Sequence, residues 1–281
     1  MRCGLATLVC PWPEIFVSKN CDNSQLKTLD TVIASAEETF SKNVESVHNL
    51  MEFDDDVLQF CIIRFSDLAR RMEKSGIANR LTLTTNRSLD ELKRIRTNQS
   101  LRPQYEEIFN QSLVLLVSYF GSSIRDLFKV TFIFALDSGK LGKLGEQDIK
   151  ISLADLHITG DDLSGKLADI FALQKDISFQ DMQSIARAFD QYLGFKPQRD
   201  NHVNNIILAQ ACRHAIVHNG SKADAKLLKQ IADAKPRNIK QTLSFDQKIQ
   251  FDPSEIKLIG ESMKHYMHTL GVGLRKQWNH V

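Results

Sequence analysis

The amino-acid sequence predicts an all-α bundle with one small β-hairpin ahead of its last helix, and three observations carry that prediction. Apolar residues recur at three- and four-residue spacing along almost the whole chain, as they do in helices with one buried face. Residues that cap or stop helices stand where these stripes begin and end. Only at Leu243, Phe245, Ile249 and Phe251 does an alternating pattern replace the helical one, around Asp246 and Gln247.

The elements follow in order. Asn23 and Ser24 precede Leu26, Leu29, Ile33, Ala36 and Phe40, which predicts a helix from about residue 24. A second helix is expected through Val57, Cys61, Phe65, Leu68 and Met72, opened by Asp54, Asp55 and Asp56 and stopped at Gly76. Ser88 to Glu91 has capping-box spacing and predicts a short helix ending before Asn98. Pro103 opens a long apolar helix that ends by Gly139. Residues 137–147 hold three glycines and no apolar period, so they form a loop. Ile149, Ile151 and Leu153 fit either a short strand or a helix start. Ser178 heads a helix through Phe179, Met182, Ile185, Ala186, Phe189 and Leu193, closed by Gly194 and Pro197. A further helix is expected from about Arg199 to Asn219 with Gly220 as its stop, and helical spacing returns over residues 223–235. Asp252, Pro253 and Glu255 start the last helix, whose stripe is Ile256, Ile259, Met263, Tyr266 and Leu270.

Composition limits the function. The 281 residues include 36 Lys and Arg against 34 Asp and Glu, a net charge of +2, and are 42% hydrophobic. That balance excludes a disordered or collagen-like chain, and it excludes a polycationic surface able to hold duplex DNA by charge alone. Any positive potential is expected to be local to a site. The five cysteines, at positions 3, 10, 21, 61 and 212, form no C-x-x-C pair, which argues against a zinc ribbon, a redox motif and a disulfide framework. Arg2 precedes an apolar run, but Pro11, Pro13 and Glu14 interrupt it and no small-residue cleavage site follows, so a cytoplasmic chain is expected. The apolar stretch from Leu113 to Leu136 carries Arg125, Asp126 and Lys129, whose burial in lipid is costly, so it is expected in a protein core and not in a membrane.

Reactive side chains concentrate at residues 213–220, RHAIVHNG. On a helix, Leu208, Ala211, Cys212, Ala215 and Ile216 form the core stripe, and His214 and His218 share one flank. Arg213 lies roughly 140° around the helix from His218, so the two converge only through Arg213's reach, a frayed end or a second copy of the chain. Each residue also has a plain structural reading. His218 is a favourable cation at a helix C-terminus, Arg213 a solvated side chain, and Asn219 and Gly220 a helix stop. His214 and His218 form an H-x-x-x-H pair able to ligate zinc, though His202 is remote and the nearest downstream carboxylate is Asp224. His265 and His268 are expected at the surface of the last helix. Lys93, Arg94, Arg96 and Arg102 are the densest positive run, able to guide RNA only if it folds near Arg213.

The segment resembles the signature of the HEPN superfamily, with Arg213 as its arginine, His214 as the polar neighbour and His218 as the distal histidine. The order of helices around it, and Tyr119, Phe120, Arg125, Asp126 and Leu127 on the long apolar helix, extend the resemblance over residues 101–281. It departs at Ser122 and Ser123, where many relatives carry a Glu. The resemblance implies three regions: residues 1–22 of unassigned role, a helical extension over 23–100 and a HEPN-like core over 101–281. It implies a metal-independent endoribonuclease without cofactor, acting in prokaryotic defence or as a toxin, with His218 transferring a proton, Arg213 holding phosphate, and His214 either a second proton-transfer group or a phosphate donor. It further implies a homodimer with a shared site and an antitoxin or nucleotidyltransferase partner. A catalytically silent nucleotide- or protein-binding module is the alternative, and a metal-binding protein using His214 and His218 the second.

Overall fold

The computed structural model describes residues 29–76, 80–97, 102–151 and 163–279. The expected start near residue 24, the segment 1–22, Cys3, Cys10, Cys21 and Leu153 lie outside them. The described residues are predominantly helical, and no helix among them is long and apolar enough to cross a membrane.

Helix α1 spans Leu29–Lys74, about 70 Å at 1.5 Å per residue. Two helices were expected here. The chain contains no Gly or Pro between these limits, so nothing breaks the backbone ladder, and Asp54 to Asp56 lie in mid-helix instead of opening a new one. Gly76 does supply the stop, at φ +68°. The two halves of α1 have different fates. Leu29, Ile33, Phe40, Val44 and Val47 are buried in the main core, whereas Leu50, Phe53, Val57, Phe60, Ile63 and Leu68 remain exposed.

Helix α2, Arg80–Thr97, folds back along the second half of α1, with Thr85 Oγ1 3.8 Å from Met72 Sδ and Arg96 Nε 2.9 Å from Asp55 Oδ1. It begins well before the capping box at Ser88, because Thr85 and Leu89 bury against α1 and carry the helix through that point. Helix α3, Arg102–Asp137, then lies along the first half of α1, where Phe120 meets Phe40 edge-on at 5.9 Å. The stretch with Arg125, Asp126 and Lys129 is thus a core helix whose charges point outward, Lys129 and Arg125 both reaching Asp169 at 2.8 and 3.3 Å.

The loop after α3 tightens into a 3-10 turn at Gly142–Glu146. Helix α4, Leu163–Gln174, is an element without a sequence counterpart above; it is held by Phe171, whose ring packs against Phe132 at 5.1 Å and Tyr192 at 4.9 Å. Helix α5, Met182–Leu193, is capped by Asp181, which accepts from Ser184 N at 2.8 Å, and closed by Gly194 at φ +70°. Helix α6, Asn201–His218, is capped by Asp200. Helix α7, Ala225–Ile231, is much shorter than the helical spacing over 223–235 suggested. Helix α8, Pro253–Asn279, forms the expected capping box: Glu255 N donates to Asp252 Oδ1 at 2.9 Å and Asp252 N to Glu255 Oε2 at 3.2 Å.

The expected hairpin is not present as paired strands among the described residues. Residues 246–249 instead pair with 221–223: Asp246 N donates to the Ala223 carbonyl at 2.8 Å, Ala223 N to Gln247 at 2.9 Å and Ile249 N to Ser221 at 2.7 Å. The single buried face expected of Leu243, Phe245, Ile249 and Phe251 holds only at its end: Ile249 and Phe251 are buried, but Phe245 is exposed, and the pairing partner is the turn that follows α6. Buried Asn110 on α3 fixes this segment, donating to the Ile249 carbonyl at 3.1 Å and accepting from Phe251 N at 3.2 Å. Lys257, near the start of α8, pairs with Glu52 of α1. The end of α6, the start of α8 and the exposed half of α1 therefore sit at one end of the bundle.

Candidate active site

Helix α6 builds the site from inside outward. Leu208, Ala211, Cys212, Ala215 and Ile216 are buried, as the helical stripe required, and they anchor the helix against α3 and α8. That register leaves Arg213 and His214 half-buried and His218 exposed. Burial pushes the Cys212 thiol up to about 12, so a sulfur one residue from Arg213 is no nucleophile.

The helix stops abruptly after His218. Asn219 N still donates to the Ala215 carbonyl at 2.8 Å, but Gly220 and Ser221 take φ of +58° and +60° and turn the chain away. Asn219 Nδ2 donates to the Lys222 carbonyl at 2.9 Å, closing the turn. Asp224 then caps α7 by accepting from Leu227 N at 2.7 Å, which sets Lys226 beside the motif.

His214 and His218 converge as their four-residue spacing required: the ring centroids are 4.8 Å apart, inclined at 51°. Lys226 Nζ lies 3.4 Å from His214 Nε2, a contact in which the ammonium donates when that nitrogen carries no proton. Loss of hydration first, and the Lys226 charge second, hold the His214 imidazole below its ordinary value. Sequence spacing missed Lys226, because the turn at Gly220 and Ser221 that returns it to His214 has no periodicity to read.

Arg213 faces a cleft that His214 shares and His218 does not. This cleft of about 1530 Å³ is walled by α3, the α4–α5 connection, α6 and α7, with Gln210, Ser122 and Gln183 among its polar groups. Among the described residues, Arg213 makes no hydrogen bond or ion pair, and no contact joins it to His218, which lies outside the cleft lining. The angular gap between them on the helix thus persists in the fold. The lining carries Arg125, Arg199, Arg213 and Lys229 against Asp169, Asp176, Asp181 and Asp233, so the expected local excess of positive charge is not met there. Ser122 lines the cleft and Ser123 is buried.

The basic run on α2 is directed elsewhere, Arg96 to Asp55 and Arg94 to Glu91 at 3.9 Å. Among the described residues no third His, Cys, Asp or Glu completes a metal-ligand set with His214 and His218. Comparison of the chain with protein-family models, with curated proteins and with solved structures gives no match.

Proposed function

We propose that the chain is a metal-independent endoribonuclease of the HEPN type. The observation that carries this reading is the contiguous set of an unpaired Arg213 guanidinium on a cleft, His214 beside it, and His218 in ring contact with His214. Two imidazoles of different surroundings can divide the proton transfers of RNA cleavage. His214, held below its usual value, is neutral near pH 7 and takes the proton of a 2′-hydroxyl. The 2′-oxygen attacks the adjacent phosphorus, the bond to the 5′-oxygen breaks, and His218 returns a proton to that leaving oxygen. The products are a 2′,3′-cyclic phosphate and a 5′-hydroxyl. Arg213 holds the nonbridging oxygens, whose charge grows in the transition state.

Arg213 and His218 do not meet within one chain, and a homodimer that brings two motifs together resolves this. The exposed stripe Leu50, Phe53, Val57, Phe60 and Ile63 supports such an assembly, because its three- and four-residue spacing suits a helix–helix seam. An antitoxin or nucleotidyltransferase would act on this dimer.

A silent binding module is the second reading, favoured by the balanced charge of the cleft and by Ser122 where a carboxylate would sit. Incubating purified protein with single-stranded and structured RNA in chelator separates the two. The enzyme reading requires cleavage to cyclic-phosphate ends that is lost in both Arg213→Ala and His218→Ala; intact RNA throughout supports the binding module.

A further inference from the structure

We propose that Asp200, His202 and His265 form a zinc site that joins the start of α6 to the middle of α8. The three side chains bring one ligand atom each within 4.8 Å of one another. The site lies about 20 Å from His214 and His218, at the opposite end of α6, and the ribonuclease reading neither uses it nor requires it.

Each ligand is aimed by a partner that leaves its donor atom available. Asp200 caps α6 with Oδ1, which accepts from Val203 N at 2.8 Å, while Oδ2 faces His265 Nε2 at 3.7 Å. Ser262 determines the state of His202. Its hydroxyl proton goes to the Leu258 carbonyl at 2.8 Å, so toward Asn205 Nδ2 at 3.2 Å and His202 Nδ1 at 3.3 Å the oxygen can only accept. Nδ1 of His202 therefore carries the proton and Nε2 holds a free lone pair, the tautomer a metal ligand needs. The imidazoles of His202 and His265 lie side by side, centroids 4.2 Å apart and inclined at 31°, next to the Asp200 carboxylate.

Two imidazoles and a carboxylate suit Zn²⁺, which takes three protein ligands and one water in open sites. Tetrahedral bonds of about 2.0–2.1 Å put ligand atoms roughly 3.4 Å apart. The Asp200–His265 pair is already near that spacing, and both side chains are solvent-exposed and free to close the remainder. Spacing in the sequence does not show this set, because 63 residues separate His202 from His265 and only the packing of α6 on α8 joins them.

Titration of the metal-free full chain with Zn²⁺ against a chromophoric competitor, and with Co²⁺ followed by visible absorption, tests the site. One ion per chain is expected, with a tetrahedral Co²⁺ spectrum and a raised melting temperature. His202→Gln, His265→Gln and Asp200→Asn, the last retaining the helix cap, should each weaken binding 10- to 100-fold. His214→Gln should leave it unchanged. Absence of binding to the wild-type chain overturns the proposal, as does binding that survives His202→Gln and His265→Gln but is lost in His214→Gln.

Discussion

His214 and Lys226 are twelve residues apart, yet the ammonium sits 3.4 Å from His214 Nε2. The turn at Gly220 and Ser221 and the Asp224 cap create that contact, and it sets an ammonium charge against His214.

A pH dependence follows. Because its pKa is lowered, His214 stays neutral, and able to accept a proton, to more acidic pH than an ordinary histidine. Lys226→Met removes one of the lowering causes and leaves the loss of hydration, so the His214 pKa rises part of the way back. Under the proposed ribonuclease reading, the acidic limb of the cleavage rate profile should move to higher pH, in parallel with the His214 imidazole shift followed by NMR. A profile that stays in place while the NMR titration moves would exclude His214 as the base.

Arg237 gives a prediction on stability. It is buried between α7 and α8 and donates to five backbone contacts: the carbonyls of Ile231 at 3.3 Å, Ala234 at 3.0 Å, Gln241 at 3.2 Å, and Lys240 through two nitrogens at 3.1 and 3.0 Å. Arg237→Leu removes the side-chain donors to these carbonyls, of which Ile231 keeps the Ala234 N–H at 3.1 Å, and should cost about 3 kcal/mol in denaturant unfolding. Arg237→Lys should recover only part of this, since a single ammonium cannot serve a fan of acceptors spread across the planar guanidinium.

The exposed stripe on α1 predicts assembly. Phe53 and Phe60 are 61% and 58% exposed, one heptad apart, on a two-helix projection that buries only its α2-facing side. Phe53→Ser combined with Phe60→Ser should reduce the sedimenting mass from dimer to monomer while the core's melting temperature holds. If the shared-site reading is right, RNA cleavage falls with the dimer; a wild-type chain that sediments as a monomer would remove that reading.

Much of this fold was legible because helices with one buried face write their period into the sequence. The Pro103, Gly194, Gly220 and Pro253 boundaries lie where local chemistry placed them, since a cap or a left-handed residue acts within one turn. Reading Asp54 to Asp56 as a helix start failed because acids favour an N-terminus without requiring one, and an unbroken ladder through them is the cheaper backbone. Phe171 failed to announce α4 because a short apolar run has no distinctive period, and three aromatic neighbours from other elements, Phe128, Phe132 and Tyr192, hold it in place.

The sequence by itself determined the α6 stripe and hence that His214 and His218 would share a flank, because four residues return a helix to nearly the same azimuth. Tertiary structure alone decided that residues 221–223 would pair with 246–249, that Lys226 would meet His214, and that Asp200 and His202 would meet His265. Those relationships join points distant along the chain, and they are set by how buried faces on α3, α6 and α8 pack together, a property that no local spacing contains.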